Sequence, residues 1–156
     1  MHHLKETLDP YPQQGHIAVG PTRYGMQGFR TSHTACLEMQ RMFSGRNMAP
    51  GIAWYRDFAV SALIGQDSQR VTDFIHDTLG ALAADSNRAA RLRETLRIYL
   101  AEASNAPRTA DRLHTHRNTI RQRIESATEV LGYDPEHHRL AVELALELKH
   151  QLGLRG

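Results

Sequence analysis

One cysteine, Cys36, stands among 156 residues, so the chain can build neither an internal disulfide nor a multi-thiolate metal site and suits a reducing, cytoplasmic setting. Long hydrophobic runs are missing too. A membrane-spanning helix needs about 20 consecutive apolar residues, and the longest stretches here, such as 58–64, are far shorter. No segment near Met1 joins a basic start, an apolar centre and a small-residue cleavage site, so no export address is expected. Net charge is small, +2 from 19 Lys+Arg against 17 Asp+Glu, and lysine is nearly absent, which reads as codon bias rather than function. No internal repeat, low-complexity tract, Gly-rich phosphate loop, convergent acid/base pair or nucleophile motif is found. An enzyme therefore has little support, and no cofactor is expected. What is present is 40% hydrophobic residues, enough for one or two small domains with a real core.

The small net charge averages over unlike regions. Within 105–124, Arg108, Arg112, Arg117, Arg121 and Arg123 face only Asp111, an excess of four positive charges. A polyanion would bind here. The plainer reading is a solvated helical face neutralised by acids from elsewhere, and charge alone does not separate the two.

Spacing gives the elements. Residues 1–16 carry two prolines, a glycine and no period, and read as a loop; His2 and His3 support no metal site. Ile17 to Val19 and Ile52 to Tyr55 are short strand candidates, the first ending at Gly20-Pro21. Phe29, Ala35, Cys36, Met39, Met42 and Phe43 mark an amphipathic helix over 29–43, in which Cys36 is a small buried residue rather than a nucleophile. Helices follow over 57–64, over 68–79 with Val71, Phe74, Ile75 and Leu79 on one stripe and Gly80 as its stop, and over 88–103 with Leu92, Leu96, Tyr99, Leu100 and Ala103. Asp134-Pro135 opens a last helix with Leu140, Leu144, Leu148 and Leu152 at four-residue steps. That stripe reads as core packing, with a subunit interface as the rival.

Between the last two helices the spacing describes a helix-turn-helix. Asn105 can cap a first helix and Pro107 is tolerated in its opening turn. Ala110 and Leu113 form a small inner face, and Thr115 can cap a second helix over 116–131 that Gly132 stops. At 100° per residue, Ile120, Ile124, Ala127 and Leu131 share the inward arc. Asn118 and Gln122 lie opposite, with Arg117 and Arg121 on one shoulder and Thr119 on the other. Glu125 and Glu129 come later on the outward side, where phosphate would repel them, so only the leading half, from His116 to about Arg123, is expected to reach DNA. Arginine suits a guanine edge, Asn or Gln an adenine edge and a Thr methyl a thymine. Arg108, Thr109 and the N–H groups at the two helix starts are expected to hold phosphates, which sets register without reading sequence. Arg123 is left open between a phosphate grip and a tie to the neighbouring helix. His114 and His116 lack a carboxylate or thiolate at ligand spacing, so no metal site is read there; protonating them would favour binding at low pH.

Together, Leu92 to Leu96, Tyr99-Leu100, Asn105, Ala110, Leu113, the run His116-Arg117-Asn118-Thr119-Ile120-Arg121-x-Arg123-Ile124, then Leu131-Gly132, Arg139-Leu140-Ala141 and Leu144-Ala145-Leu146 closely resemble the C-terminal helix-turn-helix domain of the PucR/CdaR family of bacterial transcriptional regulators. The central run is also similar to the DNA-binding end of Fis-type nucleoid proteins, which implies that these positions meet DNA. Upstream, Gly20-Pro21, Gly28-Phe29-Arg30, Ser32-His33, Cys36, the run Trp54 to Phe58, Phe74-Ile75 and Thr78-Leu79-Gly80 with Leu82 are similar to the end of a degenerate GGDEF-like domain and its connector. The resemblance implies that the chain starts inside that domain. The GGDEF signature itself is missing, so cyclic dinucleotide synthesis is not implied. His114 stands at the turn position where many helix-turn-helix units carry glycine.

The expected protein is mainly α, with a small α+β N-terminal remnant over 1–82 and a helix-turn-helix domain over 88–156. Its expected role is sequence-specific regulation of transcription through the major groove of double-stranded DNA, as a homodimer, with an unknown small-molecule effector and no membrane. The rival is a dimerising or signal-receiving fragment of a larger regulator that does not bind DNA by itself.

Overall fold

The computed structural model describes residues 16–43, 51–64 and 68–152, and the chain divides into two units, Met1–Asp67 and Ser68–Gly156. The described residues are mainly helical, with one two-stranded parallel sheet among them near the N-terminus, as the sequence leads one to expect. The reading of 1–16 as a loop falls almost wholly on residues outside those described.

In the first unit, β1 (His16–Val19) and β2 (Gly51–Trp54) pair in parallel, with Ile17 opposite Ile52 and Val19 opposite Trp54. Parallel neighbours need a crossover, and α1 (Gly25–Phe43) provides it. Tyr55, expected at the end of the second strand, instead begins α2 (Tyr55–Ile64). Gly28, Ala35, Met39 and Phe43 of α1 are buried, and Met39 and Phe43 meet Ala53 of β2, with Ala18, Met42, Tyr55 and Phe58 against them. Phe43 meets Phe58 edge-on at 5.2 Å between ring centroids. A β-carbon at Gly20 would lie 2.5 Å from Ser32 Oγ and 2.7 Å from the Ser32 carbonyl, so the chain leaving β1 presses directly on α1. Two expectations are corrected. Phe29 is 66% exposed and stacks on His33 rather than joining the core. Cys36 is only half-buried, its thiol donating to the Ala18 carbonyl at 3.7 Å.

In the second unit, α3 (Ser68–Leu79) buries Val71, Ile75 and Leu79, and Phe74 is half-buried. Gly80, with φ +50°, ends it and turns the chain into a 3-10 turn at Gly80–Ala83 that buries Leu82 and Ala83. Ser86 then caps α4 (Asn87–Ala101), its hydroxyl accepting the Ala89 N–H at 3.1 Å. Next come α5 (Ala106–Arg112), α6 (Arg117–Leu131), a second 3-10 turn at Pro135–His138, and α7 (Arg139–Leu152). Helix α3 packs on α7, α4 and α5 pack on α6, and the first 3-10 turn packs on α4 and α6. Residues 68–82, grouped above with the N-terminal region, thus fold with the C-terminal one.

Helix α7 departs furthest from its expected pattern. Leu140 is 80% exposed, Leu144 half-buried, and the buried face is Val142, Ala145, Leu146, Leu148 and Lys149. A strict four-residue step advances about 40° per turn around a 3.6-residue helix, so such leucines spiral off any one face. Positions 142, 145, 146 and 149 keep the mixed three-and-four spacing that holds a face. Lys149 takes a core position, lays its stem against that face and bonds Asp85 at 3.0 Å. The helix also begins at Arg139, since Asp134 caps the preceding 3-10 turn instead, its carboxylate accepting the Glu136 N–H at 2.9 Å.

Candidate nucleic-acid interface

The interface begins where α4 stops. Ala103 and Ser104 both adopt left-handed backbone, φ +53° and +59°. The Ala103 N–H donates to Leu100 O at 3.0 Å and the Ser104 N–H to Tyr99 O at 2.9 Å, the paired closure that ends a helix in a Schellman turn. Asn105 follows at once as the cap of α5, its side chain accepting the Arg108 N–H at 3.0 Å. Helix α4 therefore ends at Ala101, and Ala103, expected on its apolar stripe, is exposed in the turn.

The same closure recurs at the turn between the two helices of the motif. The His114 N–H donates to Asp111 O at 3.2 Å and the Thr115 N–H to Ala110 O at 2.9 Å, with His114 at φ +49°. His114 thus adopts the turn geometry that glycine would have given at no steric cost. The cap of α6 is His116, not Thr115: its Nδ1 accepts the Asn118 N–H at 3.2 Å. An imidazole nitrogen that accepts is unprotonated, which places the ring proton on Nε2.

Helix α6 turns a sealed back and an open tip. Ile120 and Ala127 are wholly buried, Leu131 is nearly so and Ile124 is half-buried, while Gly132 at φ +81° ends the helix. His116, Arg117, Asn118, Arg121 and Gln122 are exposed on the first two turns, with Thr119 and Arg123 half-buried beside them. Glu125 and Glu129 are exposed farther along. On α5, Arg108 is exposed. Thr109 is a correction: it is wholly buried and its hydroxyl donates to Asn105 O at 2.8 Å, so it supports the start of α5 from inside rather than holding a phosphate. Arg112 is exposed and pairs with Glu102 at 2.8 Å, an acid from outside the basic window. Part of the positive excess is neutralised that way, while the tip of α6 keeps its arginines outward.

Sequence reasoning missed the group that braces this motif from behind. Arg139, at the start of α7, donates from Nη2 to Leu100 O at 2.7 Å, from Nη1 to Glu136 Oε2 at 2.9 Å and from Nε to Glu143 Oε1 at 2.9 Å. The Ser104 hydroxyl donates to Glu136 Oε1. Bonds from Ser104 and then Arg139 hold the Glu136 carboxyl below its ordinary pKa range. Deeper in the unit, burial alone would raise the Glu94 carboxyl, but the hydrogen bond and charge of Arg97 outweigh it and leave it lowered. Among the described residues, no group of three or more His, Cys, Asp and Glu is placed to hold a metal, and no helix is long and apolar enough to cross a membrane.

The family match falls on this second unit. Residues 92–149 match the family described as the PucR C-terminal helix-turn-helix domain. The chain is 35% identical over 78 residues to the purine catabolism regulatory protein of Bacillus subtilis (strain 168), which covers 50% of this chain and 15% of that protein. It is 43% identical over 56 residues to an uncharacterized protein in the pkwA 5′ region of Thermomonospora curvata, covering 36% of this chain and 31% of that one. The chain thus spans less than a third of either relative.

Proposed function

From the premise that residues 92–149 form a PucR-type helix-turn-helix domain, of a family of DNA-binding transcriptional regulators, we propose that this chain reads specific sites in double-stranded DNA with α6. One observation carries the proposal: over the first two turns of α6, Arg117, Asn118, Arg121 and Gln122 stand exposed around an Ile120 that is wholly buried. A helix seated on its aliphatic side with a polar leading tip is the form that enters a major groove. Arg117, Asn118, Arg121 and Gln122 are the base-reading candidates, with Thr119 at the edge of the contact. Arg108, Arg123 and the Nε2–H of His116 are the phosphate candidates, which set register. Glu125 and Glu129 keep the rear half of the helix away from the backbone.

One such helix spans too few base pairs for useful specificity, and paired half-sites about 34 Å apart are the common remedy. We therefore read the acting species as a homodimer. Exposed Tyr24, Met26, Phe29, Val60 and Leu63 support the reading that the N-terminal unit, taken as the remnant of a regulatory domain, is an associating part.

Anisotropy titrations against genomic fragments at several salt concentrations test the proposal. Affinity should fall by about 0.9 log unit per log unit of salt for each phosphate neutralised, and some fragments should bind far better than others. A shallow slope with no preference among fragments would refute it and favour the fragment that does not bind DNA by itself.

A further inference from the structure

The turn at 102–104 is the sole covalent link between α4, which packs on α6, and α5, the first helix of the motif. Its two left-handed residues both carry β-carbons, and neither is glycine. Left-handed backbone is disfavoured for such residues, so the turn keeps its shape only where surrounding groups over-determine it. Arg139, Glu136 and the Ser104 hydroxyl are those groups. Arg139 reaches back from α7 to the Leu100 carbonyl at 2.7 Å, where a cation also meets the negative end of α4. Its Nη1 lies 3.4 Å from Ser104 Oγ and 2.9 Å from Glu136 Oε2, and Glu136 in turn accepts from the Ser104 hydroxyl. Arg112 at the far end of α5 bonds Glu102 at 2.8 Å and so ties the whole of that short helix to the same turn.

We infer that Ser104 and Arg139 are positioning residues for the DNA reader: their clasp through Glu136 fixes the direction in which α5 leaves α4, and so the pose of the α6 tip. This inference rests on the DNA reading above. Neither residue is among the proposed DNA contacts. Helix α5 is only seven residues long, from Ala106 to Arg112, so alone it would not persist, and its direction is set by its packing on α4 and α6 together with the turn at its start. Its C-terminal end is locked to α6 by the turn at His114, so the clasp at its other end acts with the packing of α4 on α6 to set how the pair is presented. Preorganising a binding element lowers the ordering cost of association, and loosening it restores that cost.

The test uses the full chain with Ser104→Gly and Arg139→Lys. Ser104→Gly relieves the left-handed geometry but removes the hydroxyl, so melting temperature should stay level or rise while affinity for a duplex selected by the wild type falls about tenfold. Arg139→Lys keeps the charge but loses the planar fork that serves Leu100 O and Glu136 together, and should lower affinity likewise. Amide hydrogen exchange over 105–110 should accelerate in both variants, with exchange at Ile120 unchanged. Wild-type affinity in both variants, or wild-type exchange over 105–110, overturns the inference. A wild-type chain with no preference among duplexes sinks the DNA reading instead, and the exchange rates then still report whether the clasp holds the turn.

Discussion

Replacing His114 with glycine should stabilise the C-terminal unit. His114 holds φ +49° in the turn of the motif, and its side chain is exposed. Left-handed backbone costs a residue with a β-carbon about 1–2 kcal/mol, and glycine gives back about 0.4–1 kcal/mol through the greater freedom of the unfolded chain. The difference spans about 0–1.6 kcal/mol, a net gain of about 0.8 kcal/mol at mid-range. For a unit of this size each kcal/mol moves the melting midpoint by about 4–8 °C, so calorimetry should find a rise of several degrees. His114→Ala is the control: it deletes the ring but keeps the β-carbon, so it should show no gain. The two hydrogen bonds of the turn run backbone to backbone, to Asp111 O and Ala110 O, and survive both changes. A midpoint that drops equally in the glycine and alanine variants would refute the reasoning, because it would mean that the ring, and not backbone geometry, governs this turn.

Ile120→Ala should cost about 2–5 kcal/mol of stability, measured by denaturant unfolding, because a wholly buried side chain leaves a cavity. Arg117→Ala and Arg121→Ala should each lower specific DNA affinity by about 1–3 kcal/mol with the melt unchanged, since both side chains are exposed; a lost fold would make them structural. Acid should loosen the brace at Arg139. The Glu136 carboxyl is held low in the folded state by Ser104 and Arg139, so its contribution is present above the ordinary glutamate range near about 4.3 and is lost as pH falls through the lower folded-state range. Glu136→Gln should flatten the acid limb of a stability profile, and an unaltered limb would count against this sign.

The sequence made the helical elements of the motif legible because their ends carry chemical punctuation. Asn105 caps, Pro107 sits in a first turn, Gly132 takes the left-handed exit, and the burial of Ile120, Ala127 and Leu131 follows from a 3.6-residue period. The rest depended on contacts that no local pattern encodes. Thr109 looked like an outward donor, yet its hydroxyl folds back on the Asn105 carbonyl inside the unit. The turn at Ala103-Ser104 uses left-handed backbone without glycine, so nothing in its composition announces it, and His114 is placed at a turn by the family resemblance rather than by its residue type. The leucine ladder of α7 misled because apolarity was visible and the drift of its phase was not, and a charged residue, Lys149, took a core position. Arg139 bonds Leu100, Glu136 and Glu143, and the bond to Leu100 spans a sequence separation no helical spacing rule reaches.

The abutment at Gly20 makes that position a size filter for the N-terminal unit. A methyl group there would meet both the hydroxyl and the carbonyl of Ser32, with Cys36 Sγ at 3.0 Å, and a backbone carbonyl cannot rotate aside as a side chain can. Substitutions at Gly20 should therefore rank by bulk alone, whatever their charge or polarity, and each would wedge the crossover helix away from the strand that delivers the chain to it.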